Sequence, residues 1–339
     1  MSLIIKLIFI YSLILIITIL ISKRFELFDY PNSRKLHAKP IMNTSGVSLY
    51  TFLFILTYFE VYSLSNEIKL IIYTGSFIFL IGFIDDRFNL SAKKKLILIL
   101  IPIIFLISQN LFLDNLGYYE SFGLLKLEKF GIVFTILACC LLINSYNYVD
   151  GLDGLLLGII QIGIIYIYLI INDENTKFFL KILSIPITIN LIFNFLSIKS
   201  YYKIFLGNNG SLFLGFMMSF LIIYLNINQN IHASYLIWTC WYPVYDLLQV
   251  TISRIKSKKK FYFSDTKHFH HYILFYLNNS HIKSTITLLL LNALIILIGY
   301  SVANHLGKLI SLILFIILFF MYFFIIDKII KKKIKYLGI

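Results

Sequence analysis

Four polar side chains recur at intervals of three in a chain dominated by isoleucine and leucine: Asn144, Asn147, Asp150 and Asp153, in the stretch Asn144-Ser145-Tyr146-Asn147-Tyr148-Val149-Asp150-Gly151-Leu152-Asp153-Gly154-Leu155. Apolar runs flank it on both sides, over 130–143 and 155–171. Ionisable groups at membrane depth are costly and usually functional. On an unbroken α-helix, the spacing from 144 to 153 places Asn144 and Asp153 on opposite faces. The four converge on one ligand only if the helix ends or unwinds, which Gly151 and Gly154 permit. A plain polar turn between two helices uses the same residue types, so this stretch alone leaves both readings open.

Three other stretches carry groups with chemistry. Asp85 and Asp86 end an apolar run, with Lys95 downstream. Adjacent helical residues point about 100° apart, so one carboxylate can face a metal while the other meets a base or a substrate. With Asp150 and Asp153 they make a set suited to a hard cation such as Mg²⁺, which takes oxygen ligands and substrate phosphates; Mn²⁺ is the alternative ion. Gly207-Asn208-Asn209-Gly210-Ser211 opens another apolar run. Its free N–H groups can cradle a phosphate, or the segment is an ordinary helix cap. His268, His270 and His271 follow Arg254, Lys256, Lys258, Lys259, Lys260 and Lys267. No cysteine is near, so imidazoles and ammoniums gathered on a pyrophosphate fit better than a zinc site. The Lys258–Lys260 run by itself suits anionic lipid headgroups.

The elements that must position these groups are membrane helices. The 339 residues are 59% hydrophobic and 14% charged, with a mean hydropathy of +0.86, whereas a soluble domain is about 25% charged. The runs approach the roughly 20 residues that a spanning helix needs and lack the alternation of a barrel. The expectation is an all-α polytopic membrane bundle, one domain over 1–339, with about eleven transmembrane helices: 3–22, 46–64, 68–84, 95–113, 129–144, 154–171, 178–196, 204–226, 233–252, 283–303 and 307–327. Residues 3–22 read as a retained first helix, because Lys23-Arg24 and no small-residue cleavage site follows. Cys139, Cys140 and Cys240 lie inside apolar runs without zinc spacing and read as buried free thiols.

The net charge of +14 raises the question of nucleic acid, but its placement excludes that reading. Of the 30 Lys and Arg residues, 23 fall in alternate connections and the C-terminal tail. The positive-inside rule then puts the N-terminus outside and the C-terminus in the cytoplasm. Every polar stretch named above falls on that inner face, so the expected active-site cleft is cytoplasmic. The outer connections, 65–68, 114–128, 172–177, 227–232 and 304–306, are short or featureless.

Taken together, these stretches resemble the polyprenyl-phosphate N-acetylhexosamine-1-phosphate transferases, in the family's own order over 29–271. The D-x-P-x-x-R-K-x-H entry is present as Asp29, Pro31, Arg34, Lys35 and His37. The aspartate pair with its lysine is Asp85, Asp86 and Lys95; the N-x-x-N-x-x-D-G-x-D-G-L signature is complete at 144–155; and H-x-H-H is His268, His270 and His271. The last is the form of enzymes that initiate O-antigen and teichoic-acid linkages rather than of the phospho-MurNAc-pentapeptide translocase. The resemblance implies attack of a polyprenyl (undecaprenyl) phosphate on the β-phosphate of a UDP-N-acetyl-aminosugar, with release of UMP. The product is a polyprenyl-diphospho-sugar for cell-envelope glycan synthesis, made in the bacterial inner membrane. The implied partners are the UDP-sugar, the lipid and the bilayer, with a homodimer allowed. Asp85, Asp86, Asp150 and Asp153 are the catalytic candidates, and Asp150, Asp86 and Asn208 the metal ligands. Lys95, Asn144, Asn147, His268, His270, His271, Arg34 and Lys35 are the substrate-binding candidates.

The chain departs from the family at several points. Where the family has G-D-x-G-S, with the aspartate a metal ligand, this sequence has Gly207-Asn208-Asn209-Gly210-Ser211. Asn208 offers a carbonyl oxygen without charge. Met42 stands for a proline, Ser45 for the first of two glycines and Thr266 for an arginine. Two other classes compete. A pseudoenzyme would bind the lipid without turnover; a transporter would place its charges at the midplane within repeats, and no repeat is visible.

Overall fold

The computed structural model describes residues 3–30, 40–195, 203–258 and 268–337. Arg34 and Lys35 lie outside the described residues. Helices run in the order α1 (Leu3–Arg24), α2 (Ser45–Tyr58), α3 (Asn66–Phe88), α4 (Ala92–Ser108), α5 (Phe130–Val149), α6 (Leu155–Ile170), α7 (Glu174–Phe195) and α8 (Gly207–Asn228). After these come α9 (Ala233–Leu236), a 3₁₀ turn (Ile237–Cys240), α10 (Trp241–Lys256), α11 (Phe269–Tyr276), α12 (His281–His305) and α13 (Lys308–Leu337). The chain is an all-α polytopic membrane protein. By length and composition, α1, α3, α5, α7, α8, α12 and the 308–329 part of α13 can each cross a membrane, seven among the described residues.

Each of the eleven expected spans has a helical counterpart. Four are shorter or broken: α2, α4, α6 and the span from 233, which is split into α9, the 3₁₀ turn and α10. The restart at Trp241 places Pro243 in the first turn of α10, where a missing N–H costs no helical bond. The basic connection after α10 also holds the short helix α11, and 114–128 is not featureless. It forms a hairpin of β3 (Asn115–Tyr119) and β4 (Gly123–Lys126).

At the bundle's centre is α8, buried along nearly its whole length from Asn209 to Leu225. It packs most extensively against α3 and α5, then α2. Its small residues allow that approach, as Gly, Ala, Ser and Thr do in membrane helix interfaces generally. By contrast α1 and α13 are mostly exposed and apolar, the pattern of helices facing lipid.

A second small sheet anchors the start of α8. Strand β1 (Phe28–Asp29) pairs antiparallel with β2 (Ile41–Met42), and Ile204 bridges in parallel to Met42. The Phe205 N–H donates to the Met42 carbonyl at 2.8 Å, and the Ser45 N–H to the Phe205 carbonyl at 3.1 Å. Strand β2 is thereby fixed against Ile204 and Phe205, just before α8.

Candidate active site

The carboxyl ends of α3 and α5 meet the amino end of α8. A helix begins with unpaired N–H groups and a partial positive charge. Here no side chain from the preceding residue caps α8. Asp86 of α3 does so instead. Its Oδ1 accepts the Asn208 N–H at 2.9 Å, and its Oδ2 accepts the Asn209 N–H at 3.2 Å and the Asn209 amide at 2.8 Å. Gly207 adopts φ +71°, and a Cβ there would stand 2.8 Å from Asp86 Oδ2, so the cap requires glycine at this position. The N–H groups of Asn208 and Asn209 are therefore taken by protein; the segment is a helix cap with its carboxylate supplied from α3.

Helix α5 continues through Val149, five residues past the expected end of that span. Asn144 and Asn147 consequently stay one turn apart on the same side of a regular helix, yet their amides bond differently. The Asn147 amide donates to Asn208 Oδ1 at 2.9 Å and to Ser211 Oγ at 2.8 Å, tying α5 to the first turn of α8. The Asn144 amide turns back to the Cys140 carbonyl at 2.7 Å. Of the four residues at intervals of three, Asn147, Asp150 and Asp153 gather at the site; Asn144 is engaged with its own helix.

The two aspartates of the loop have opposite surroundings. Asp153 is paired with Lys203 at 2.5 Å and with His281 Nδ1, at the start of α12, at 3.3 Å. Burial pushes its pKa up, but the bonds and charges of His281 and Lys203 outweigh that and hold it below the usual carboxylate range. Among the described residues, the charged groups that act on Asp150 are carboxylates. Residue 150 as a whole is exposed; desolvation of its carboxyl group, then repulsion from Asp86, Asp153 and Asp29, pushes its pKa up to about 7.

Asp85 points away from Asp86. It is buried, accepts the Leu90 N–H at 2.9 Å and pairs with Lys95 at 2.9 Å. Lys95 thus serves a carboxylate at the turn between α3 and α4. His268, His270 and His271 form the start of α11 rather than a loop. The His270 ring packs on Gly151, where a Cβ would lie 2.5 Å from its Nε2. Among the described residues neither ring nitrogen of His270 has a hydrogen-bond partner, and burial, then the neighbouring His271, holds its pKa well below the ordinary histidine value.

Residues that the sequence pattern did not single out complete the site. Asn194 of α7 accepts the Gly154 N–H and donates to the Ile204 carbonyl at 2.8 Å, joining the Asp150–Gly154 loop to the segment entering α8. Thr285 donates to the Asp153 carbonyl at 2.8 Å. Asp246 of α10 binds His268 at 2.7 Å. A carboxylate inside Trp241–Val250, otherwise largely apolar, was the available signal for Asp246. Asn194 and Thr285 stand in apolar runs with no spacing to mark them.

A family model described as glycosyl transferase family 4 matches residues 68–226, which span α3 to α8 and hold Asp85, Asp86, the 144–155 signature and Asn208. Over those residues the chain is similar to that family. It is 27% identical over 304 residues to an undecaprenyl-phosphate alpha-N-acetylglucosaminyl 1-phosphate transferase of Escherichia coli O157:H7, covering 87% of this chain and 82% of that one. The enzyme of the same description from Salmonella typhi is 26% identical over 254 residues, 73% and 69% of the two chains. A probable undecaprenyl-phosphate N-acetylglucosaminyl 1-phosphate transferase of Bacillus subtilis (strain 168) is 28% identical over 276 residues, 78% and 76%.

Proposed function

We propose that this protein transfers an N-acetyl-aminosugar 1-phosphate from a UDP-sugar to undecaprenyl phosphate at the cytoplasmic face of a bacterial inner membrane. An oxygen of the lipid phosphate bonds to the β-phosphorus, the bond from that phosphorus to the bridging oxygen breaks, and UMP leaves with the electron pair. The observation that carries this reading is the junction of α3, α5 and α8. There Asp86 caps the α8 amino end, Asn147 fixes Asn208, and Asp150 stands among carboxylates. The match to GlcNAc-1-phosphate transferases over most of both chains supports it.

The donor set fits a divalent cation. Asp150 faces Asp86, Asp153 and Asp29, an excess of negative charge that a cation would relieve. Among the described residues no three His, Cys, Asp or Glu side chains form a metal-holding group by themselves. An ion here would therefore rest on Asp150, Asp86 and the Asn208 carbonyl and complete its shell with phosphate oxygens, as Mg²⁺ commonly does. When bound, Mg²⁺ would neutralise charge on the diphosphate.

The chain's own groups do the rest. A phosphate monoester has a second pKa of about 6, so the acceptor is largely dianionic at neutral pH and needs orientation more than deprotonation. Asn147 holds the first turn of α8 in place. Asp153 keeps Lys203 and His281 at the rim, where a phosphate can share them. The buried imidazole of His270, with His271 beside it, closes the site next to Gly151.

Asn208 favours a second reading, a lipid-binding protein without turnover, because the family's charged ligand is replaced. Purified protein in detergent with undecaprenyl phosphate, UDP-GlcNAc and Mg²⁺ separates them. Release of UMP with a lipid-linked product is expected. Lipid binding without UMP, across several UDP-N-acetyl-aminosugars, overturns the transferase reading.

A further inference from the structure

Asp246 stands in α10 among the rings of Tyr242, Tyr245 and Tyr322 and is 1% exposed. A carboxylate so placed is costly unless its oxygens are bonded. Oδ2 lies 2.7 Å from His268 Nδ1; Oδ1 accepts the Phe269 N–H at 2.7 Å and the Tyr322 hydroxyl, from α13, at 3.2 Å. One side chain thus holds the His268 ring and caps the helix that carries His270 and His271.

The ring is fixed from its faces as well. His268 stacks on Tyr148 at 5.5 Å and 19°, and on His270 at 5.6 Å and 9°. Tyr148 belongs to the central signature, and His270 lies against Gly151. The histidine is therefore registered to the Asp150 loop by two stacks and held in rotation by Asp246. The titratable groups around it are Asp246, Tyr322, Tyr148, His270 and His271. With Nδ1 committed, Nε2 is the ring atom left for a ligand. A carboxylate at Nδ1 keeps a proton there in the neutral ring. In the doubly protonated ring Nε2–H is a charged donor as well, the type that bonds phosphate oxygen strongly.

We infer that Asp246 is a positioning residue that sets the proton location and orientation of His268, so that Nε2 is offered to a phosphate oxygen of the diphosphate donor. The identity of that phosphate rests on the transferase reading; the Asp246–His268 relation does not.

Two measurements test this on the full chain in detergent. In protein labelled with ¹⁵N-histidine, the His268 signals are assigned by their loss in His268→Gln. Wild type should show a proton on Nδ1 at pH 8. Asp246→Asn should move it to Nε2, because the amide can turn its NH₂ toward Nδ1. An unchanged signal overturns the inference.

The second measurement is UMP release. Asp246→Asn and His268→Gln should each lower kcat/KM by roughly 10–100-fold, as loss of a histidine's orienting partner commonly does. The double variant should match His268→Gln within about twofold, because residues acting through one another are not additive. Multiplying losses would assign Asp246 to the folding of α11 and overturn the inference. So would Asp246→Asn failing to purify folded where His268→Gln succeeds. A wild type with the expected histidine signals but no UMP release sinks the transferase reading and leaves the positioning role standing.

Discussion

At the end of the bundle remote from the site, His232, Thr135 and Trp238 are matched. His232 takes the Ser234 N–H at Nδ1, 3.1 Å, and faces the Tyr118 carbonyl from Nε2, 3.1 Å. Thr135 accepts the Leu113 N–H at 2.9 Å, and Trp238 donates to Ser311 at 2.9 Å. At the site end, among the described residues, Asp150 has three carboxylates for neighbours and His270 has two unpaired ring nitrogens. An unmatched buried group costs stability, so His270 beside Gly151 marks a place where a ligand can complete the protein. The same contrast recurs within one loop, between the matched Asp153 and the unmatched Asp150.

The largest expected effect comes from Asp150→Asn. Turnover should fall by at least about 10²-fold, the scale on which removal of a preorganised electrostatic group acts. The melting temperature should hold or rise, because a repelled charge is removed. Asp153→Asn should lose both turnover and stability, since Lys203 and His281 lose their carboxylate. Thermal melts of the two variants side by side decide. Equal destabilisation would break the distinction between the two aspartates.

Next is Asn194→Ala. It orphans the Gly154 N–H and the Ile204 carbonyl, both bonded by one buried amide. Each orphaned buried group costs about 1–3 kcal/mol, so a clear drop in melting temperature is expected, with turnover falling alongside. A melt within a degree of wild type would show that the two loops do not depend on this bridge.

Asn194 also shows the limit of sequence reading. The helices were legible because their apolar runs are long, and the Asp150 loop because carboxylates beside such runs are costly. The direction of Asn144 was not, since an amide ending a helix can face a ligand or bond back to Cys140, and both fit the spacing. The amide pairs, Asn194 with Gly154 and Asn147 with Asn208, join residues 40 and 61 positions apart. No local pattern encodes such a contact. The hairpin at 115–126 was missed because Gly117 and Gly123 interrupt any alternation.

A smaller effect concerns cation and proton competition at the site. With its pKa pushed up to about 7, Asp150 in the metal-free protein takes up a proton below neutrality. A ligand carboxylate must lose that proton to bind a cation, so apparent Mg²⁺ affinity should fall as pH drops from 8 to 6, by up to about tenfold per unit below the pKa. Titrating Mg²⁺ against UMP release at each pH checks this; a flat profile removes Asp150 from the cation's shell. In the same assay Asn208→Asp should lower the apparent Mg²⁺ constant, because a carboxylate replaces a neutral oxygen.

The smallest effect belongs to the remote end and should leave turnover untouched. Burial, then the charge of Lys308, holds the His232 pKa down to about 4, against the bond to the Tyr118 carbonyl. The neutral ring is the form that fits, because Nδ1 must stay unprotonated to accept the Ser234 N–H. The unfolded chain takes up the proton near pH 6.5, while the folded chain resists it until about pH 4. Stability from this residue is therefore full above about pH 6.5 and is lost progressively as pH falls toward 4. Between pH 7 and pH 5.5 the loss is about 1 kcal/mol at most, given about 1.4 kcal/mol per pKa unit. His232→Gln keeps an acceptor for Ser234 and a donor for Tyr118 but does not titrate. Its melting temperature should fall less over that pH range than wild type, with equal UMP release at pH 7.5. An identical pH slope in the two proteins would show that His232 is not what ties the hairpin end to acid stability.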